Sequence, residues 1–201
     1  MSISVSNPYD SNYYKAVLVP SSKILKKWIP GFLRTYHCWK LFSGSWKHNS
    51  QNHINFICDP SYKTGENTAI TGKSSWNDYR LDLQFRFTTA SLNPPEGGII
   101  VYFFLKNLNN FYSFHYCFFK NQIEFIKKYR GTWYSGKKKD FNFTLNRDYH
   151  VSIISRYGFH RCEIDDTVLD VNNEKDISNG RIGIGVKYCN AIFQAISISL
   201  P

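Results

Sequence analysis

Residues 79–87 read YRLDLQFRF, in which Tyr79, Leu81, Leu83, Phe85 and Phe87 alternate without a break with Arg80, Asp82, Gln84 and Arg86. A period of two puts the five large apolar side chains on one face of an extended chain and the charged and amide groups on the other. That is the pattern of a strand in an antiparallel sheet with one face on a core and one in water. The next segment, Ile99 to Leu105, is apolar throughout, which predicts a strand covered on both faces. Pro94, Pro95, Gly97 and Gly98 supply the turn between the two.

Outward from this pair the chain keeps the same grammar. Asn-Leu-Asn-Asn at 107–110 predicts a hairpin turn into the strand 111–119, Asn121 turns the chain into 122–128, and Gly131 ends that strand. Further strands are expected at 140–145, 149–155, 159–165, 168–171, 181–187 and 192–200. No long segment carries helical periodicity, so the class is all-β: an antiparallel sandwich or barrel without crossover helices. The 14 Tyr and 16 Phe among 201 residues suit such a fold. Gly183 and Gly185 leave one face of their strand nearly bare, so a backbone segment or an aromatic ring must lie against it.

Residues 1–33 read differently, with Pro8, Pro20 and Pro30 as punctuation and little alternation. They are taken as an N-terminal arm before a sandwich domain at 34–201. Within the arm SSKILKKWI predicts a short helix capped by Ser22, or else an extension whose Trp28 and Ile29 pack on the sandwich.

The 25 Lys plus Arg against 15 Asp plus Glu give a formal charge of +10. The positive residues are scattered apart from Lys137, Lys138 and Lys139, so a basic protein is indicated but nucleic acid is not the favoured partner. Cys38, Cys58, Cys117, Cys162 and Cys189 are odd in number, widely spaced and form no CxxC pair, which signals neither a disulfide framework nor a zinc knuckle. Reduced thiols fit intracellular production, and the compartment is otherwise open. The set Cys38, His48, His53 and Cys58 matches no metal spacing. The opening MSISVSNPYD has no signal-peptide pattern, and no stretch is long enough to span a bilayer.

The order of these pieces resembles the concanavalin A-like lectin/glucanase superfamily, in its laminin-G-like jelly-roll branch with fructan-binding accessory modules and keto-disaccharide hydrolase-type domains. The residues that carry the resemblance are Gly44-Ser-Trp46, Trp76-Asn-Asp-Tyr79, GGIIVYFFLKNLNNFY at 97–112, Ile126-Lys-Lys with Gly131, Glu163-Ile-Asp165, Asn179-Gly-Arg-Ile-Gly183 and Ala191 with Phe193. The resemblance implies a jelly-roll sandwich and a carbohydrate ligand, a glycan or polysaccharide. One departure concerns function: where such domains carry an arginine aimed at the ligand, this chain has Phe104.

Sugar recognition needs rings against the apolar face of a saccharide and amide or charged groups for its hydroxyls. Outward parity assigns Gln84, Arg86, Tyr102, His115 and Glu124 to that role, with Asp82 and Lys128 beside them, and the loops add Glu96, Arg130, Trp133 and Tyr134. Trp133 and Tyr134 lead the set, because exposed rings in Gly-Thr-Trp-Tyr are costly unless they meet something. Arg86 and Glu124 also read as a cross-strand ion pair. Glu163-Ile-Asp165-Asp166 lacks the third carboxylate of a retaining glucanase strand, so no catalytic residue is assigned. Calcium has only a weak candidate set in Asp59, Asp170 and Asp176, better read as turn residues, so no cofactor is assigned.

The expectation is therefore a non-catalytic, lectin-like carbohydrate-binding sandwich. Two alternatives stand beside it: a self-assembling structural protein that forms homo-oligomers through residues 1–33, and a glycoside hydrolase whose carboxylate pair the sequence does not identify, with Glu124 and Glu163 each a carboxylate to test.

Overall fold

A computed structural model describes residues 66–89 and 97–199, together with the strand backbone at 18–19, 22–27, 40–43, 45–48 and 54–57. The strands are β1 (Leu18–Val19), β2 (Ser22–Lys27), β3 (Lys40–Ser43), β4 (Ser45–His48), β5 (Ile54–Ile57), β6 (Glu66–Thr71), β7 (Tyr79–Thr89) and β8 (Gly98–Asn107). They continue with β9 (Asn110–Cys117), β10 (Gln122–Tyr129), β11 (Thr132–Asp140), β12 (Asp148–Arg156), β13 (Gly158–Ile164), β14 (Thr167–Glu174), β15 (Arg181–Lys187) and β16 (Asn190–Ser199). No helix occurs among the described residues.

The strands form two antiparallel sheets. One runs β11-β10-β9-β8-β15-β6-β3; the other runs β1-β2-β16-β7-β12-β13-β14, with β5 also on β16 and β4 on β5. β7 shows the alternation its sequence predicts, with Tyr79, Leu81, Leu83, Phe85 and Phe87 buried. These five pack between the sheets against Ile99, Val101 and Phe103 of β8 and Tyr112, Phe114 and Tyr116 of β9. β8 is buried on both faces, as its unbroken apolar run requires. Its outward side chains Ile100, Tyr102 and Leu105 join Ile70 and Phe111 in a second apolar cluster on the outside of the seven-stranded sheet. The bare strand is filled as expected: a Cβ on Gly183 would lie 3.0 Å from the Tyr102 ring, and one on Gly185 would lie 2.8 Å from the Asn67 carbonyl.

Three expectations change. The Ser22 segment is not a helix: β2 pairs with β16, with Lys27 opposite Ser197. A two-turn helix gains little on its own, whereas the open edge of β16 offers a ready row of backbone partners. Trp28 and Ile29 lie outside the described residues. Second, Trp133, Tyr134 and the lysine run belong to one exposed edge strand, β11, rather than to a loop, and the strand expected at 140–145 is irregular beyond Asp140. Third, Phe104 does not occupy a ligand-facing position. Its φ is +48° and the β8–β9 register shifts beyond Phe103, so the side chain turns into the core, fully buried. There its ring meets Tyr79 at 5.5 Å, and its N–H donates to the Tyr79 hydroxyl at 2.9 Å.

Of the cysteines, Cys117, Cys162 and Cys189 are buried thiols. Burial, opposed in part by the Tyr116 hydroxyl, pushes the Cys162 thiol up to about 12. Cys38, His48, His53 and Cys58 include no described side chain.

Candidate functional site

Antiparallel register sets which outward residues are neighbours, because directly opposed residues point to the same side. On the outer face of the seven-stranded sheet, Lys128 of β10 sits opposite both Trp133 of β11 and Phe111 of β9. The next row runs Ser135, Ile126, Ser113 and Tyr102. The row after that runs Lys138, Glu124, His115 and Ile100. Tyr102, His115, Glu124, Lys128 and Trp133 therefore share one face.

Trp133 is 57% exposed although its ring has two fixed neighbours. Phe111 meets it edge-on at 5.6 Å, and Lys128 Nζ stands 4.6 Å from its centroid. Glu124 is held just as firmly. It is 6% exposed, accepts a hydrogen bond from Ser135 Oγ at 2.5 Å and faces Lys138 Nζ at 3.3 Å. The face thus combines one exposed indole with a fixed carboxylate, an imidazole, hydroxyls and two ammonium groups.

The remaining candidates go elsewhere. Tyr134 follows Trp133 in an extended strand and so points to the opposite side, where Lys127 Nζ lies 4.9 Å from its ring. Lys127 is itself fixed by Glu174 and Asp176, both at 2.9 Å. Burial opposes its charge, but those two hydrogen bonds prevail and raise the ammonium well above the ordinary lysine range. Arg130 lies in the β10–β11 turn with φ +52°, its guanidinium 5.1 Å from the Tyr129 ring. Glu96 lies outside the described residues.

Gln84 and Arg86 sit on the outer face of the other sheet. The expected Arg86–Glu124 pair does not form, since the two stand on different sheets. Arg86 instead grips Asp148 of β12 with bonds of 2.8 and 2.6 Å, which raise its pKa. Glu124 and Glu163 are likewise on different sheets and cannot flank one glycosidic bond. Asp170 is paired with Arg161 and Asp176 with Lys127, while Asp59 lies outside the described residues. Among the described residues no cluster of three His, Cys, Asp or Glu could hold a metal ion.

Sequence reasoning missed Ser135 and Lys138. The lysine run flagged Lys138, but only the register shift between Glu124 and Ile126 places it opposite Glu124.

Comparison with solved structures decides the architecture. The carbohydrate-binding module CBM66 from Bacillus subtilis superposes with a TM-score of 0.68 at 16% identity, over 80% of this chain and 94% of that one. The chain folds as a concanavalin-like jelly roll. The same jelly roll matches the exoplasmic/lumenal domain of VIP36 in a Ca2+/Man3GlcNAc-bound form, at TM-score 0.59 and 13% identity over 80% of this chain and 82% of that one. It also matches a β-glucanase from Bacillus licheniformis, at TM-score 0.60 and 9% identity over 87% and 98%. No protein-family model and no curated protein matches the sequence. At these identities the likeness concerns fold, and the jelly roll hosts both binding and hydrolysis.

Proposed function

We propose that this jelly roll is a non-catalytic carbohydrate-binding protein whose ligand lies on the outer face of the seven-stranded sheet, over Trp133. The observation that carries the reading is the placement of that indole: 57% exposed, braced by Phe111 and Lys128, and sharing its face with Glu124, His115, Ser135 and Lys138. A braced ring loses little freedom on binding and covers the apolar side of a pyranose or furanose. The fixed carboxylate and its neighbours then meet the ring hydroxyls. Support also comes from structural neighbours described as a carbohydrate-binding module and as a lumenal domain in a Man3GlcNAc-bound form.

The test is a glycan array of neutral and acidic saccharides, read for the wild type and for Trp133→Ala. Binding that falls at least tenfold in the variant, with the melting temperature nearly unchanged, supports the reading. Absence of binding to every glycan, or binding indifferent to Trp133→Ala, sinks it.

A further inference from the structure

The opposite face of the sandwich carries its own cleft of about 410 Å³, lined among others by Asp82, Gln84, His150, Ser152, Glu163 and Ala195. Register places Ser152 of β12 directly between Asp82 of β7 and Glu163 of β13. Gln84 faces His150 in the adjoining row, with Gln84 Nε2 2.8 Å from the imidazole Nε2. A β-bulge in β16, between Gln194 and Ser197, opens the side of the cleft, where Ala195 holds φ +52° and stays exposed.

One polar group in this cleft is unused. Ser152 is 8% exposed, and its Oγ has no hydrogen-bond partner among the described residues. A buried hydroxyl left unpaired costs free energy unless something meets it.

The charges narrow what that something is. Each carboxylate is held from the side by an arginine: Asp82 by Arg80 at 2.9 Å, Glu163 by Arg161 at 3.5 Å and Asp165 by Arg147 at 2.8 Å. A cation would compete with those arginines, and Arg80, which also lines the cleft, is already paired with Asp82, so an anion would find no unpaired cation among the lining residues. An apolar ligand would leave Ser152 unsatisfied and would cover the ion pairs with no compensating hydrogen bond. What fits is an uncharged, hydroxyl-rich molecule that donates to Asp82 and Glu163 and accepts from Gln84 or Ser152.

We propose that this cleft is a second saccharide site, binding one neutral sugar unit edge-on through hydrogen bonds without aromatic stacking. It extends the saccharide reading given above but is independent of the Trp133 face. With the two sites on different sheets, one chain can hold two glycans on opposite sides and cross-link them without forming an oligomer.

The test is an amide-resolved NMR titration of the intact chain with the methyl glycosides of glucose, galactose, mannose and fructose, repeated with Trp133→Ala, Ser152→Ala and Glu163→Gln. The expected result is movement of the Gln84, His150, Ser152, Glu163 and Ala195 amides by at least one sugar, unchanged in Trp133→Ala. Ser152→Ala weakens that binding by about five- to tenfold without lowering the melting temperature, and Glu163→Gln weakens it further. If no sugar moves the cleft amides, the inference is overturned, whether or not amides around Trp133 respond. A binding constant unchanged by Ser152→Ala overturns it too. Movement at the cleft alone upholds it while removing the Trp133 site.

Discussion

Lowering the pH from 7 to 5 is expected to weaken the fold through a single buried imidazole. His160 is fully buried, its Nδ1 2.8 Å from Ser155 Oγ and its ring among Phe103, Phe104, Tyr112 and Phe125. Burial, offset in part by the Glu174 backbone, pushes its pKa down to about 3. The unfolded chain regains a value of about 6.5. Between these two values the unfolded state binds a proton that the folded state does not, so stability is whole above about pH 6.5 and declines as the pH falls toward 3. The slope approaches about 1.4 kcal/mol per pH unit, which gives a loss of about 2 kcal/mol between pH 7 and 5. Urea denaturation at both pH values measures it. In the double variant Ser155→Ala/His160→Phe the Ser155 hydrogen bond disappears from both ends and a ring of similar shape remains, so the pH-independent cost is confined to the Glu174 backbone contact. The variant should lose at least about 1.5 kcal/mol less than the wild type over this interval. Equal losses in the two proteins would refute the assignment of the acid sensitivity to His160.

Two further outcomes follow from the core. Phe104→Arg should unfold the chain or cost at least about 3 kcal/mol by thermal or urea melting, because it places an unpaired charge among Tyr79, Tyr112 and His160. A well-folded variant with gained sugar binding would show that the side chain reaches the surface. Cys117, Cys162 and Cys189 should resist a thiol reagent in the native protein and react on unfolding, since each is buried and the Cys162 thiolate is disfavoured. Native labelling of these three, located by peptide mapping, would contradict their burial.

Much of the fold was legible in the chain itself, for local reasons. A period of two is enough to sort Tyr79, Leu81, Leu83, Phe85 and Phe87 to one side of β7, and an unbroken apolar run is enough to mark β8 as covered twice. Gly183 and Gly185 implied a backbone segment or a ring against their strand; the Tyr102 ring meets the first and the Asn67 carbonyl the second. What local pattern cannot say is which strands become neighbours. Alternation made Arg86 and Glu124 both outward, but outward on two different sheets; the proximity of Arg86 to Asp148 exists only because β12 pairs with β7. The same holds for Ser22–Lys27, extended because β16 lies beside it, and for Trp133 and Tyr134, adjacent in sequence yet on opposite sides of β11. Phe104 is the sharpest case, for the bulge that turns it inward has no signature in its own side chain. The sequence alone marked the central strands from Tyr79 onward, the buried sides of β7 and β8, and the exposed rings. The tertiary structure decided which polar residues meet, since register and sheet assignment come from contacts between segments far apart in the chain.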